Sequence, residues 1–204
     1  IGRACARYAA RWGVRLLALG RNEERLRALA RSFAEQGLPQ PDLTTEVTEL
    51  RRADLVLAAA SSDRPIIEPE HLKVGAVVCD VALPPNVSPR VFQERKDVLV
   101  VDGGAVRVPG EPELGFDFGL APGLVYACMA ETMLLALEGR YESFTLGREI
   151  SLAQLETIAE LAAKHGFAPA GLFCRGRPIA EADMERIRLA RQANRADERH
   201  KSEV

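Results

Sequence analysis

The 204-residue sequence contains no C-x-x-C pair, and none of its four cysteines lies near a histidine at zinc-ligand spacing. Cys5, Cys79, Cys128 and Cys174 therefore read as reduced thiols, as in a cytoplasmic protein. His71, His165 and His200 are too scattered to make a metal site, and none is expected. Long apolar runs are missing as well. No stretch of about 18 residues is apolar enough for a transmembrane helix, and no signal peptide is visible. Excess charge is also absent: 27 basic against 29 acidic residues give a net charge of −2, so nothing points to nucleic acid as a partner. What remains, at 47% apolar and 27% charged residues, is the composition of an ordinary globular domain with helical additions.

The sequence opens on Ile1 rather than Met and enters a helical pattern at once, as a fragment of a longer protein would. That helix is expected to end at Trp12–Gly13. Val14–Leu19 reads as a strand, and Asn22 caps a helix carrying Glu23, Glu24, Leu26, Leu29 and Phe33. Pro39 and Pro41 mark a turn, and a small helix is expected over 44–53. Residues 54–60, 76–81 and 98–102 are short, branched and apolar, the pattern of buried strands. Strands and helices thus alternate to about residue 102, which argues for a parallel, Rossmann-like α/β sheet with helices on both faces and more helices C-terminal to it. Residues 103–123, rich in Gly and Pro, read as a long ordered loop. Further helices are expected over 124–138, 151–165 and 181–198. The domain expectation is a nucleotide-binding domain with cysteine-bearing helices over 1–172, then a charged helical tail over 173–204.

In such a sheet the ligand lies beyond the carboxyl ends of the strands. Those ends carry Gly20-Arg21-Asn22, Ser61-Ser62, Asp80 and Asp102-Gly103-Gly104, small or polar residues that leave room for a nucleotide. An NAD site usually has an acid after the second strand to accept from the ribose 2′-hydroxyl. Arg21 stands there instead, and an arginine pairs with a 2′-phosphate, so NADP (as NADPH) is the expected cofactor. The alternative is a surface arginine before a helix. Gly2 lies about 20 residues before this strand end, where the last glycine of a phosphate loop belongs. The first strand and most of the Gly-rich loop are then expected upstream of Ile1.

The run Leu124–Leu135 is apolar nearly all round, so a buried helix is expected. Cys128 and Glu131, three residues apart, share a face of it. A buried cysteine is most simply a small hydrophobe, but a buried glutamate needs a partner or a role. Glu131 either bonds to backbone or to an arginine such as Arg148, or steers protons near the thiol.

At these residues the sequence resembles a known family. Tyr126-Ala127-Cys128-Met129-Ala130-Glu131-Thr132-Met133-Leu134-Leu135 is similar to a block of the cyanobacterial long-chain acyl-ACP reductases. So are Tyr141–Arg148, Lys164-His165-Gly166-Phe167, Arg21-Asn22-Glu23-Glu24-Arg25-Leu26, Val101-Asp102-Gly103-Gly104 and the opening Ile1-Gly2. The likeness covers residues 1 to about 170. It departs in the middle, at Asp80-Val81-Ala82-Leu83-Pro84-Pro85-Asn86, and does not account for the charged tail.

The resemblance implies a chemistry. A thiolate at Cys128 would attack an acyl thioester, on acyl carrier protein or CoA, and NADPH would reduce the enzyme thioester to a fatty aldehyde. Ser61 and Ser62 are candidate oxyanion donors only because they end a strand. The family also has an N-terminal region that helps form the acyl site, so this segment alone is expected to lack activity. Two alternatives stay open: a shikimate dehydrogenase-like or glutamyl-tRNA reductase-like NADP-dependent enzyme, and a non-catalytic NADP(H)-binding module.

Overall fold

The alternation of helices with short branched strands builds parallel pairing over the first hundred residues. In chain order the elements are α1 (Gly2–Ala10), β1 (Leu17–Leu19), α2 (Glu23–Glu35), β2 (Asp42–Thr44), β3 (Leu55–Ala58), β4 (Val77–Asp80), α3 (Pro89–Glu94) and β5 (Leu99–Asp102). This computed structural model describes residues 1–202 except 111, 118 and 148, with side chains to residue 197. Among the described residues β1 pairs in parallel with β2, and β3 with β4, whose other edge bonds to β5. The chain is of the α/β class, with the parallel strands and covering helices of a Rossmann-like fold.

Two compact units divide the chain: Gly2–Val101 together with the residues from Ile179 on, and Asp102–Pro178. In the first, α1 and α2 pack through Ala10, Leu29 and Phe33, with Ala18 of β1 against them. Asn22 caps α2 as expected, its Oδ1 accepting from Arg25 N at 2.9 Å.

The final helix, α6 (Glu181–Ser202), belongs to this unit and is fastened to it. Ile187 is buried. The Arg191 guanidinium donates to Gly75 O at 2.8 and 3.0 Å and to Asp54 O at 3.1 Å, the carbonyls just before β4 and β3. Gly75 permits the approach. Its φ is +74°, and a Cβ there would lie 2.6–2.8 Å from Arg191 atoms. Arg186 Nε also donates to Lys96 O at 2.9 Å, and Arg195 lies 3.6 Å from the Asp54 carboxylate. The charge-rich sequence of this helix hid the role, because the residues that dock it stand among many solvated ones.

The second unit contains β6 (Ala105–Arg107), β7 (Leu124–Tyr126), α4 (Ala127–Leu137), α5 (Leu152–His165) and β8 (Ala168–Pro169). Next come β9 (Phe173–Cys174) and β10 (Arg177–Pro178), which form a small hairpin. β6 lies between β7 and β8, antiparallel to both. Val108, Val125, Ala130, Leu134 and Phe167 form the core, with Ile158 and Leu161 of α5 packed against it. Ser151 and Gln154 form a capping box at the start of α5, and Gly166, at φ +75°, ends that helix in the left-handed region. Glu138 at the end of α4 accepts from Lys164 Nζ at 2.6 Å and bonds to His165 Nε2 at 2.5 Å. Lys164-His165-Gly166-Phe167 therefore clamps α4 to α5, stops the helix and fills the core.

Several expectations need correction. Residues 103–123 are not all loop, because 105–107 form β6. The expected helix over 44–53 is a short 3-10 turn, Val47–Arg52, and β2 just before it escaped notice. Leu124-Val125-Tyr126 is strand, not the first turn of a helix, because it pairs with Arg107-Val106-Ala105.

Two predictions follow from this packing. Arg191→Ala loses charge-assisted bonds to two carbonyls and should destabilise the protein by about 2 kcal/mol in urea unfolding. A change under about 0.5 kcal/mol would mean that α6 is only a solvated surface helix. The second concerns acid. Lys164 and then His165 hold the Glu138 carboxyl below its ordinary value of 4.5. A lowered folded pKa gives stability that is present in full above the ordinary value and fades as pH falls through the folded one. Glu138→Gln should therefore flatten the acid limb of the stability curve below pH 4.5 and leave the curve's slope near neutrality unchanged.

Candidate functional site

The ends of the parallel strands are tied together by polar side chains. Arg21, just past β1, donates from Nη2 to Ser61 O at 3.2 Å, joining the loop after β1 to the loop after β3. The rest of its guanidinium is exposed, and among the described residues it makes no ion pair. A cation held at one end and unneutralised at the other suits a phosphate. Ser61 is exposed, whereas the Ser62 hydroxyl donates to Arg64 O at 2.7 Å within its own turn. Gly2 opens α1 beside the end of β3. A methyl there would meet Ala59 Cβ at 3.6 Å, an ordinary contact, so packing alone does not demand glycine.

Asp80, at the end of β4, is buried and committed to backbone. Its Oδ1 accepts from Ala82 N at 3.1 Å, and its Oδ2 accepts from Asn86 N at 2.7 Å and Val87 N at 2.9 Å. The carboxylate thereby shapes the loop after β4. Asn86, which the sequence reading passed over, completes the job. It is fully buried, accepts from Ala60 N at 2.9 Å and donates to Ala60 O at 3.1 Å. Ile66 N and Ile67 N donate to its backbone oxygen. The signal was present in the spacing: an acid at a strand end, and an asparagine six residues on, after two prolines.

In the second unit the cysteine helix begins later than expected. Tyr126 is the N-cap residue and supplies no side-chain cap, so Cys128 is the second residue of α4. Ala127 N donates to Gly104 O at 2.7 Å, which anchors the helix start next to Gly103. The expected burial of this helix is corrected: only Ala130, Leu134 and Leu135 are buried, and Cys128 is exposed. The thiol thus lies in the first turn, at the positive end of the helix dipole.

Glu131, one turn on, is half-buried, and Oε1 of its carboxylate accepts from the Thr145 hydroxyl. Arg148, the partner weighed for it, lies outside the described residues. Thr145 was missed because a loop hydroxyl carries no sequence signal of its own. Its segment is fixed by Gln154 Nε2, which donates to Phe144 O, and by Arg140, whose guanidinium lies 4.7 Å from the Phe144 ring centroid. The other thiols differ from Cys128. Cys79 is in β4, burial pushes Cys5 up, and burial followed by the nearby Asp102 pushes Cys174 up to about 11.

Residues 1–103 match the model of the shikimate / quinate 5-dehydrogenase family. The chain belongs to that family. The match covers β1 to β5 and makes this part an NAD(P)-binding domain of Rossmann type from an oxidoreductase family. The chain is 38% identical over 135 residues to aminotransferase PigE of Serratia sp. (strain ATCC 39006), covering 65% of this chain and 16% of that protein. It is 31% identical over 163 residues to the long-chain acyl-[acyl-carrier-protein] reductase of Synechococcus elongatus, covering 77% of this chain and 46% of the relative. With glutamyl-tRNA reductase of Thermus thermophilus it shares 39% identity over 80 residues, 38% of this chain and 20% of that one. The chain thus spans less than half the length of each of these relatives. The shikimate / quinate dehydrogenase match stops at residue 103, before Cys128 and Glu131. Among the described residues no helix is long and apolar enough to cross a membrane.

Exposure and position together predict which cysteine reacts. Iodoacetamide on the native protein should label Cys128 first, with Cys5, Cys79 and Cys174 at least tenfold slower by peptide mass mapping. Equal rates at all four would remove the basis for singling out this thiol.

Proposed function

We propose that this chain is part of an NADPH-dependent reductase that converts a long-chain acyl thioester into a fatty aldehyde through Cys128. The observation that carries the reading is the exposed Cys128 in the first turn of α4, at a helix start with no side-chain cap. Support comes from the likeness to the acyl-[acyl-carrier-protein] reductase, which runs through the cysteine helix and on to α5 and covers 77% of this chain.

The residues divide the work. The Cys128 thiolate attacks the acyl carbonyl and expels the thiolate of the carrier or CoA, leaving an enzyme thioester. Ala127 N is taken by Gly104 O, and the Cys128 amide next to it suits the oxyanion that forms on the way. NADPH, when bound, supplies hydride to the acyl carbon. Proton delivery to the resulting oxygen and collapse of the thiohemiacetal then release aldehyde and regenerate the thiolate. Glu131, its carboxylate oriented by Thr145, is the nearest acid in sequence for moving that proton. On the nucleotide side Arg21 binds the 2′-phosphate. Gly2 lets backbone approach the pyrophosphate, and Asn22, Ser61 and Ser62 border the site. Asp80 acts through the loop it holds rather than by touching the nucleotide.

A second reading has a specific observation behind it. The family match ends at residue 103 and needs no covalent thiol, as in direct hydride transfer to a carbonyl.

Aldehyde formation by the full-length protein separates the two. Cys128→Ser should cut it at least a thousandfold while leaving the NADPH Kd within twofold, and unchanged turnover in this variant would favour direct hydride transfer. Arg21→Ala should weaken NADPH about tenfold, about 1.4 kcal/mol, and NADH hardly at all. Equal losses for both nucleotides would count against a 2′-phosphate contact.

A further inference from the structure

Among the described residues the two most exposed large apolar side chains are Tyr141, at 88%, and Leu146, at 82%. Both stand on the loop between α4 and α5, and that loop is held at several points. Arg140 N donates to Leu135 O at 2.8 Å, and the Arg140 guanidinium pairs with Glu142 at 2.7 Å and reaches over the Phe144 ring. Gln154 Nε2 donates to Phe144 O, and the Thr145 hydroxyl donates to Glu131 of α4. A single exposed leucine is ordinary on a protein surface. Leu146 differs in what its neighbour touches. It follows Thr145 directly, and Thr145 ties this part of the loop to the turn of α4 that follows Cys128. Residues three apart on a helix are neighbours, about 5–6 Å between Cβ atoms, so the loop meets α4 beside the thiol. Leu135, seven residues past Cys128 and within about 20° of it around the axis, is buried on that face. Leu137, 59% exposed, lies nine residues past Cys128, about 180° round the same helix.

We propose that Leu146 is a specificity-determining residue: its side chain covers the alkyl chain of an acyl group carried on Cys128 and so favours long-chain over short-chain thioesters. This rests on the acyl-thioester reading above. Once the Cys128 thiolate has displaced the thiolate of the carrier or CoA, the acyl chain is tethered at Sγ of an exposed residue. Each methylene then left in water is a loss that an apolar neighbour recovers. Such a neighbour serves best on a segment already ordered, since none of the contact is then spent on fixing the loop. Phe144 and Thr145, the two anchored residues, come immediately before Leu146. An acetyl group has no methylene to shelter, so its transfer would not feel the leucine.

Chain length supplies the test, on full-length protein and without NADPH. Acylation of Cys128 by acetyl-CoA and by palmitoyl-CoA, the latter below its micelle concentration, is followed by peptide mass. Alkylation of the same thiol by iodoacetamide and by N-dodecyliodoacetamide, in which sulfur displaces iodide, reads the apolar contact without acyl transfer. Leu146→Ser should lower the palmitoyl and dodecyl rates about tenfold and leave the acetyl and iodoacetamide rates within about twofold. Leu146→Met, which keeps the apolar surface, should restore at least about half of the long-chain rates. Leu137→Ser, on the far side of α4, should leave all four rates within about twofold. Long-chain and short-chain rates that fall alike in Leu146→Ser, or that do not fall, overturn the proposal. So does an equal long-chain loss in Leu137→Ser. Acylation of Cys128 that ignores Leu146 would keep the reductase reading and reject this residue's role. A dodecyl preference that depends on Leu146, with neither thioester transferring its acyl group, would keep the apolar contact and reject the reductase reading.

Discussion

The pairing of Leu124–Tyr126 with Ala105–Arg107 decides where the cysteine helix starts. Were those three residues helical, Cys128 would lie a turn inside α4, its amide tied into the helix. As strand residues they push the helix start to Ala127, which is pinned to Gly104 O. The thiol then sits among the first-turn amides, exposed and within the positive end of the helix dipole. Every chemical statement about Cys128 depends on this short antiparallel ladder and the single bond that ends it.

The nucleotide-binding part shows a related logic, with buried polar groups holding exposed ones. Asp80 and Asn86 spend their hydrogen-bonding capacity on backbone and so fix the loops that follow β3 and β4. Arg21 and Ser61 are left at the surface of that framework, joined by one bond and otherwise open. At the other ends of the same strands, Arg191 secures the carbonyls of Asp54 and Gly75. The strands are thus braced at both ends by side chains.

Much of the fold could be read from the residues alone. Branched strands alternating with helices gave the parallel α/β class, and Asn22 before Glu23 and Glu24 gave the start of α2, because both signals are local. The errors came from contacts distant in sequence. β2 and β6 are three residues each, too short to show a period, and exist because a partner strand is there to pair with them. The burial of Cys128 was misjudged because an all-apolar stretch says how much surface could be covered and not which side is. Arg191 looked like any surface arginine until Gly75, 116 residues away, came against it. Of the site, Arg21 and Cys128 stood out by their own chemistry. Asn86 and Thr145 did not, since each acts only through the group it holds.

The most direct test is the mass of the protein after exposure to a long-chain acyl thioester without NADPH. The account predicts one added acyl group, mapped to the peptide containing Cys128, absent in Cys128→Ser, and discharged as aldehyde when NADPH is supplied. Aldehyde formation with no acyl group ever found on that cysteine, or an acyl group there that NADPH leaves untouched, would contradict it.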